Sequence, residues 1–142
     1  MSLFSVFNVA GSALNAETIR LNTTASNLAN AESVNGDPSK VYRARQPVFQ
    51  AMLDDSGATL DGEDATAGVR VLGVTESTAP PTMRYDPNNP LANKDGYIYM
   101  SNVNSIEEMT NMISASRSYQ TNVEVIITTK SLLLRTLAIA QT

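Results

Sequence analysis

Large apolar residues recur every seven positions at both ends of the chain. At the head, Phe7, Leu14, Leu21 and Leu28 are evenly spaced, and Phe4, Gly11, Thr18 and Ala25 precede each of them by three. Two rows offset in this way form an a/d seam, with small residues along most of one row that would let a partner helix approach closely. At the tail, Ile106, Ile113, Ile127 and Leu134 fall on multiples of seven, with Gln120 interrupting. Met109, Val123 and Leu137 lie three residues after members of that series. A neighbouring row holds Met112, Tyr119, Ile126, Leu133 and Ala140. Together these make a stripe wider than one seam, which predicts a helix touching more than one neighbour.

Proline and glycine mark where the helices stop. All six prolines lie between positions 38 and 90, and Gly11 alone of seven glycines lies outside 36–96. Proline breaks helix interiors and glycine weakens them, so the two ends are the helix candidates. Three parts follow: an N-terminal helix in 1–31, a small middle region of strands and loops in 32–104, and a long C-terminal helix in 105–142. Ser105 and Glu108 form the S-x-x-E pattern of a capping box at the start of that last helix. Within the middle, Tyr42 to Gln50, Val69 to Thr75, Thr82 to Tyr85 and Tyr97 to Met100 read as strands. Pro47 restricts the first of them to an edge or bulge. Asn35-Gly36, Asp86-Pro87 and Asp95-Gly96 are turn signals.

A tail helix of about 37 residues would span roughly 55 Å at 1.5 Å per residue. A compact chain of this size has a radius of gyration of roughly 14–15 Å. The expected fold is therefore mainly α and elongated, with the long N- and C-terminal helices paired as a coiled coil and a small irregular β middle domain.

Composition narrows the chemistry. The 142 residues include no Cys, no His and no Trp. Disulfides, thiolate metal sites, cysteine nucleophiles and serine–histidine catalysis are all excluded. The net charge of −4 argues against nucleic acid. No apolar run is long enough to insert in a membrane, and the first basic residue, Arg20, comes too late for the positive start of a cleaved signal peptide. Head and tail are each electroneutral, so the middle carries the whole −4. The head is rich in Asn, Ser and Thr, mediocre helix formers, which suits a helix that depends on partners for order.

The remaining candidates have plain readings. Asp61, Glu63 and Asp64 lack the spacing of a calcium loop and read as a solvated acidic loop. Asn22-Thr23-Thr24 matches a glycosylation sequon by chance, inside a helix. Lys130 and Ser131 point to different helix faces and make no catalytic dyad. Arg43 and Arg45 alternate along one strand and read either as a solvated face or as a partner for acidic groups. No catalytic, cofactor or metal site is expected. An interaction protein is favoured over a hydrolase using the middle-domain carboxylates.

Short motifs then add a resemblance. Ala25-Ser26-Asn27-Leu28-Ala29-Asn30-Ala31 resembles the signature of the flagellar axial proteins, the rod and hook family. Tyr85-Asp86-Pro87-Asn88-Asn89-Pro90-Leu91-Ala92, Gly96-Tyr97, Asn102-Val103-Asn104, Glu108-Met109 and Ala115 through Val123 are similar to a short rod member of that family. The family often has Gly-His at 88–89 and Pro at 101, which bears only on local turn geometry. The resemblance implies a structural subunit of the proximal rod of the bacterial flagellar basal body, a helical tube that crosses the periplasm and carries motor torque to the hook. It implies copies of itself, FlgB, FlgF, FlgG and FliE as neighbours, and passage through the flagellar type III export apparatus without a cleaved signal peptide. The alternatives are another axial rod protein such as FlgB or, from the residues alone, a cytoplasmic coiled-coil adaptor forming a closed oligomer. The residues expected at assembly interfaces are Phe4, Phe7, Leu14, Leu21, Leu28, Ile106, Met109, Met112, Ile113, Tyr119, Val123, Ile126, Ile127, Leu133, Leu134 and Leu137.

Overall fold

In a computed structural model of the chain, residues 3–53 and 67–140 are described. Helix α1 runs Leu3–Ala29 and helix α2 runs Ser105–Ala140. Between them lie five strands: β1 Val34–Asn35, β2 Arg45–Leu53, β3 Ala67–Glu76, β4 Thr82–Tyr85 and β5 Tyr97–Met100. One sheet has the order β1-β5-β4, and β2 pairs with β3 in a second. The acidic residues Asp61, Glu63 and Asp64 lie outside the described residues.

Two compact units emerge, each drawing on head, middle and tail. One comprises Met1–Ile19, Val48–Gly73 and Ala115–Thr142; the other comprises Arg20–Pro47 and Val74–Ser114.

In the first unit the buried residues are small. Ser5, Ala10, Ala16, Ala115 and Thr129 are all buried. Ser12 links α1 to β3: its hydroxyl donates to the Val9 carbonyl (2.8 Å) and accepts from the Val69 amide (3.1 Å). The small seam residues are not covered within the chain. Gly11 and Thr18 are exposed here, as is Ala25 in the other unit. The buried positions fall one or two residues earlier, at Ala10, Ala16, Thr23 and Thr24, whose side chains are small and are not marked by a pattern of large apolar residues.

The second unit is organised on β5, whose Ile98 is its largest fully buried apolar side chain. β4 and β5 pair antiparallel with Tyr85 opposite Tyr97. The two rings meet edge-on, 5.1 Å apart at 64°, a favourable cross-strand aromatic geometry. The connecting loop closes through Asp86 N–H to the Gly96 carbonyl (2.9 Å) and Asn93 N–H to the Tyr97 carbonyl (2.9 Å). Gly96 has φ of 80°, and a Cβ there would sit 2.8 Å from the Tyr85 ring. Glycine is needed on both counts.

Two details differ from expectation. The strand expected at Tyr42 to Gln50 begins only at Arg45. The Tyr42 hydroxyl is engaged by Asn27, and the Ala44 amide donates to Asn102 Oδ1 at 2.7 Å, so this approach segment bonds to other elements. Pro47 is tolerated inside β2 because in a two-stranded sheet each strand keeps a free edge. The start of α2 is also different. Asn104 is the N-cap: its Oδ1 accepts from the amides of Ile106 (3.1 Å) and Glu107 (3.4 Å). Glu108 turns inward instead of closing a box with Ser105.

Candidate functional site

Asn27 occupies the centre of a junction between three elements in the second unit. Its side chain is 1% exposed. An amide side chain offers two donor hydrogens and two acceptor lone pairs, and all four are used. Nδ2 donates to the Arg45 carbonyl (2.8 Å) and to Glu108 Oε2 (3.1 Å). Oδ1 accepts from the Arg45 amide (2.9 Å) and the Tyr42 hydroxyl (2.9 Å). Because the Tyr42 proton is spent on Asn27, the Ser26 hydroxyl 3.1 Å away donates to the tyrosine oxygen. One residue thus ties α1 to the first residue of β2 and to the first turn of α2. Satisfied buried polar groups of this kind specify one packing, since any shift would strand several of them.

Asn102 makes a second tie. Besides accepting from Ala44, its amide donates to the Ala79 carbonyl at 2.9 Å. Asn93 and Asn89 shape the loop between β4 and β5. Asn93 Oδ1 accepts from the amides of Asp95 and Tyr97, and Asn89 Oδ1 accepts from Leu91. The asparagines of the recognition motifs therefore bond mostly to backbone. They build the fold.

The surface of the junction is polar. Arg45 lies 5.4 Å above the Tyr42 ring and bonds Glu76 Oε1 through Nε (3.3 Å) and Nη2 (3.1 Å). Asp37 accepts from both the hydroxyl and the amide of Ser39, which holds its carboxyl below the ordinary range; Lys40, 3.9 Å away, adds less. Among the described residues there is no cluster of three acidic, His or Cys side chains able to hold a metal, and no helix long and apolar enough to cross a membrane.

The expected interface residues divide by exposure. On α2, Ile106 (75%), Ile113 (56%), Ile127 (61%) and Leu134 (56%) are open to solvent, as are Met109, Tyr119 and Leu137. Met112, Val123, Ile126 and Leu133 are half-buried. On α1, Phe4 is exposed, whereas Phe7, Leu14, Leu21 and Leu28 are half-buried. A further seven-residue row holds the buried Glu108, Ala115 and Thr129 with the half-buried Asn122. Hydropathy does not reveal it, because its members are small or polar. Its only trace in the sequence is the spacing.

Two family models match the chain: "Flagella basal body rod protein" over residues 7–36 and "Flagellar basal body rod FlgEFG protein C-terminal" over 94–139. They cover the α1 and α2 segments that meet at Asn27 and Glu108, and they define the class as rod proteins of the flagellar basal body. Whole-chain relatives go further. Flagellar basal-body rod protein FlgC of Yersinia enterocolitica is 51% identical, and those of Escherichia coli O157:H7 and Salmonella typhimurium are 50% identical. Each comparison covers 99% of this chain and 100% of the relative. The chain belongs to the FlgC family of flagellar basal-body rod proteins, a family of structural subunits and not of enzymes.

Proposed function

We propose that this rod subunit forms part of the proximal rod, polymerising with other copies and with FlgB, FlgF, FlgG and FliE into the tube that carries torque across the periplasm to the hook. In this reading α1 and α2 pair as a coiled coil in an elongated subunit that stacks into the tube wall. The subunit reaches its place through the flagellar type III export apparatus, with no cleaved signal peptide. The observation that carries the reading is the solvent-exposed row Ile106, Ile113, Ile127 and Leu134 on α2. Monomers seldom leave a long apolar ridge in water. Covering it returns about 25 cal/mol for each Å² removed from water. A tube needs contacts of the heterologous, non-closing kind, since two-fold contacts stop at a dimer.

The chain's lack of cysteine makes the test direct. Single cysteines at Ile113 and Leu133 are paired with single cysteines on the head helix, at Gly11 or Leu14, and crosslinked in purified basal bodies. The exposed position, Ile113, is expected to link between chains, and the half-buried Leu133 within one chain. If both link only within a chain, a two-helix hairpin suffices and the exposed row is not an assembly surface. A small closed oligomer of the purified chain in light scattering would favour the adaptor reading instead.

A further inference from the structure

The second unit contains a basic pocket that the junction does not explain. A cavity of about 460 Å³ is lined by Asn30, Ser33, Lys40, Arg43, Arg45 and Glu76, among others. Three of the chain's ten basic residues, Lys40, Arg43 and Arg45, stand within six positions of one another. Their charges are not equally spent. Arg45 is held by Glu76 and by the Tyr42 ring. Lys40 has only a loose ion pair, 3.9 Å to Asp37 Oδ2, on an exposed side chain. The Arg43 guanidinium, half-buried in the pocket wall, has no hydrogen-bond or ion-pair partner among the described residues. A guanidinium is a rigid fork of donors that fits a carboxylate, and in a partly desolvated recess such a bond is stronger than on an open surface.

The rest of the chain supplies the matching charge. Residues 54–66 contain Asp54, Asp55, Asp61, Glu63 and Asp64 and no basic residue. A protein with net charge −4 thus sets three basic residues along one pocket, with Arg43 unpaired among the described residues, and a third of its acids in one short segment. Complementary patches at different places on one subunit are what a head-to-tail assembly uses, and charge complementarity fixes register and speeds encounter.

We propose that the Lys40/Arg43 pocket is a docking site for a carboxylate-rich peptide segment, and that its occupant is the acidic segment 54–66 of a second copy of this chain. The inference rests on the rod-subunit reading for its biological setting, but the contact itself does not require a finished rod. Asp and Glu side chains of the incoming segment bond the Arg43 fork and the Lys40 ammonium. Ser33 and Asn30 provide the polar surroundings.

The test uses the full chain and a synthetic peptide covering residues 53–66, capped at both ends, with binding followed by fluorescence anisotropy. Binding is expected at low salt and should weaken as ionic strength rises toward 0.15 M, where charges are screened beyond roughly 8 Å. The Lys40→Gln/Arg43→Gln double variant should bind at least tenfold more weakly while its thermal unfolding is unchanged. A peptide with Asn and Gln in place of the five acids should not bind. Inorganic phosphate should compete no better than sodium chloride of equal ionic strength. Arg43→Glu should recover binding when the peptide carries Lys in place of Asp61 and Glu63. Equal binding by the double variant, or no binding at low salt, overturns the proposal. So does binding seen only when the protein's own acids at 54–64 are neutralised, which would place each segment in its own chain's pocket. Failure of the peptide test alongside rods that crosslink through Ile113 would remove this contact and leave the rod-subunit reading intact.

Discussion

Asn27 of α1 donates a 3.1 Å hydrogen bond to Glu108 of α2, across 81 residues of sequence. Both side chains are buried. The bond fixes the rotational setting of the two helices where they meet, because each partner sits at one defined position on its helix. The same amide also holds both backbone polar groups of Arg45. Loss of Asn27 therefore removes partners from α2, from β2 and from Tyr42 together.

Asn27→Ala is expected to destabilise the chain by about 3 kcal/mol, since it strands several buried groups at roughly 1–3 kcal/mol each. Asn27→Asp should cost more, because it places a second carboxylate against Glu108. Adding Glu108→Gln should restore much of that loss by returning a donor to the pair. Urea denaturation of the four chains as a double-mutant cycle reads the coupling directly. Additive losses would show that the two residues do not act as a pair.

The cap of α2 is expected to lie at Asn104. Asn104→Ala should lower stability by about 1 kcal/mol through loss of the bonds to Ile106 and Glu107. Ser105→Ala should change it by less than half as much. Thermal unfolding of the two variants decides which residue begins the helix.

Glycines separate folding from assembly. A Cβ at Gly36 would meet the Leu91 carbonyl oxygen at 2.5 Å, a backbone atom that cannot step aside, whereas nothing lies within 4 Å of a Cβ at Gly11. Gly36→Ala should therefore destabilise the chain. Gly11→Ala, at an exposed position of α1, should stabilise the isolated protein by roughly 0.5–1 kcal/mol. If the exposed row of Phe4, Gly11, Thr18 and Ala25 packs closely on a neighbour, the same change will reduce swimming in a complementation assay. Unchanged swimming would show that no helix approaches closely at Gly11.

Ile113→Glu should leave the purified chain's stability within about 0.5 kcal/mol, because the site is already largely in water. It should nevertheless abolish motility when it replaces the wild-type chain in a null strain, with protein level and export unaltered. Normal motility would argue that this row faces solvent in the rod as well.

Much of the local architecture is readable from the chain itself. Helix-breaking residues confined to the middle mark two long helices. The strands at Thr82 to Tyr85 and Tyr97 to Met100 and the turn at Asp95-Gly96 follow from β-formers bracketing turn residues. These features depend on neighbours a few positions away, so the sequence carries them directly. The absence of His and Cys likewise settles which catalytic chemistries are closed to the chain, whatever its fold. What the tertiary structure alone decided is which rows are covered. Hydropathy points to the leucine and isoleucine rows, yet in this chain the Ile106 to Leu134 row lies in water, and the deeper positions belong to Ala10, Ala16, Thr24, Asn27, Glu108, Ala115 and Thr129. Close approach between elements selects small side chains and fully bonded polar ones. Whether a polar side chain is fully bonded depends on residues many positions away, as with Asn27, Arg45 and Glu108. No local pattern records that, so these residues look ordinary until the chain is folded.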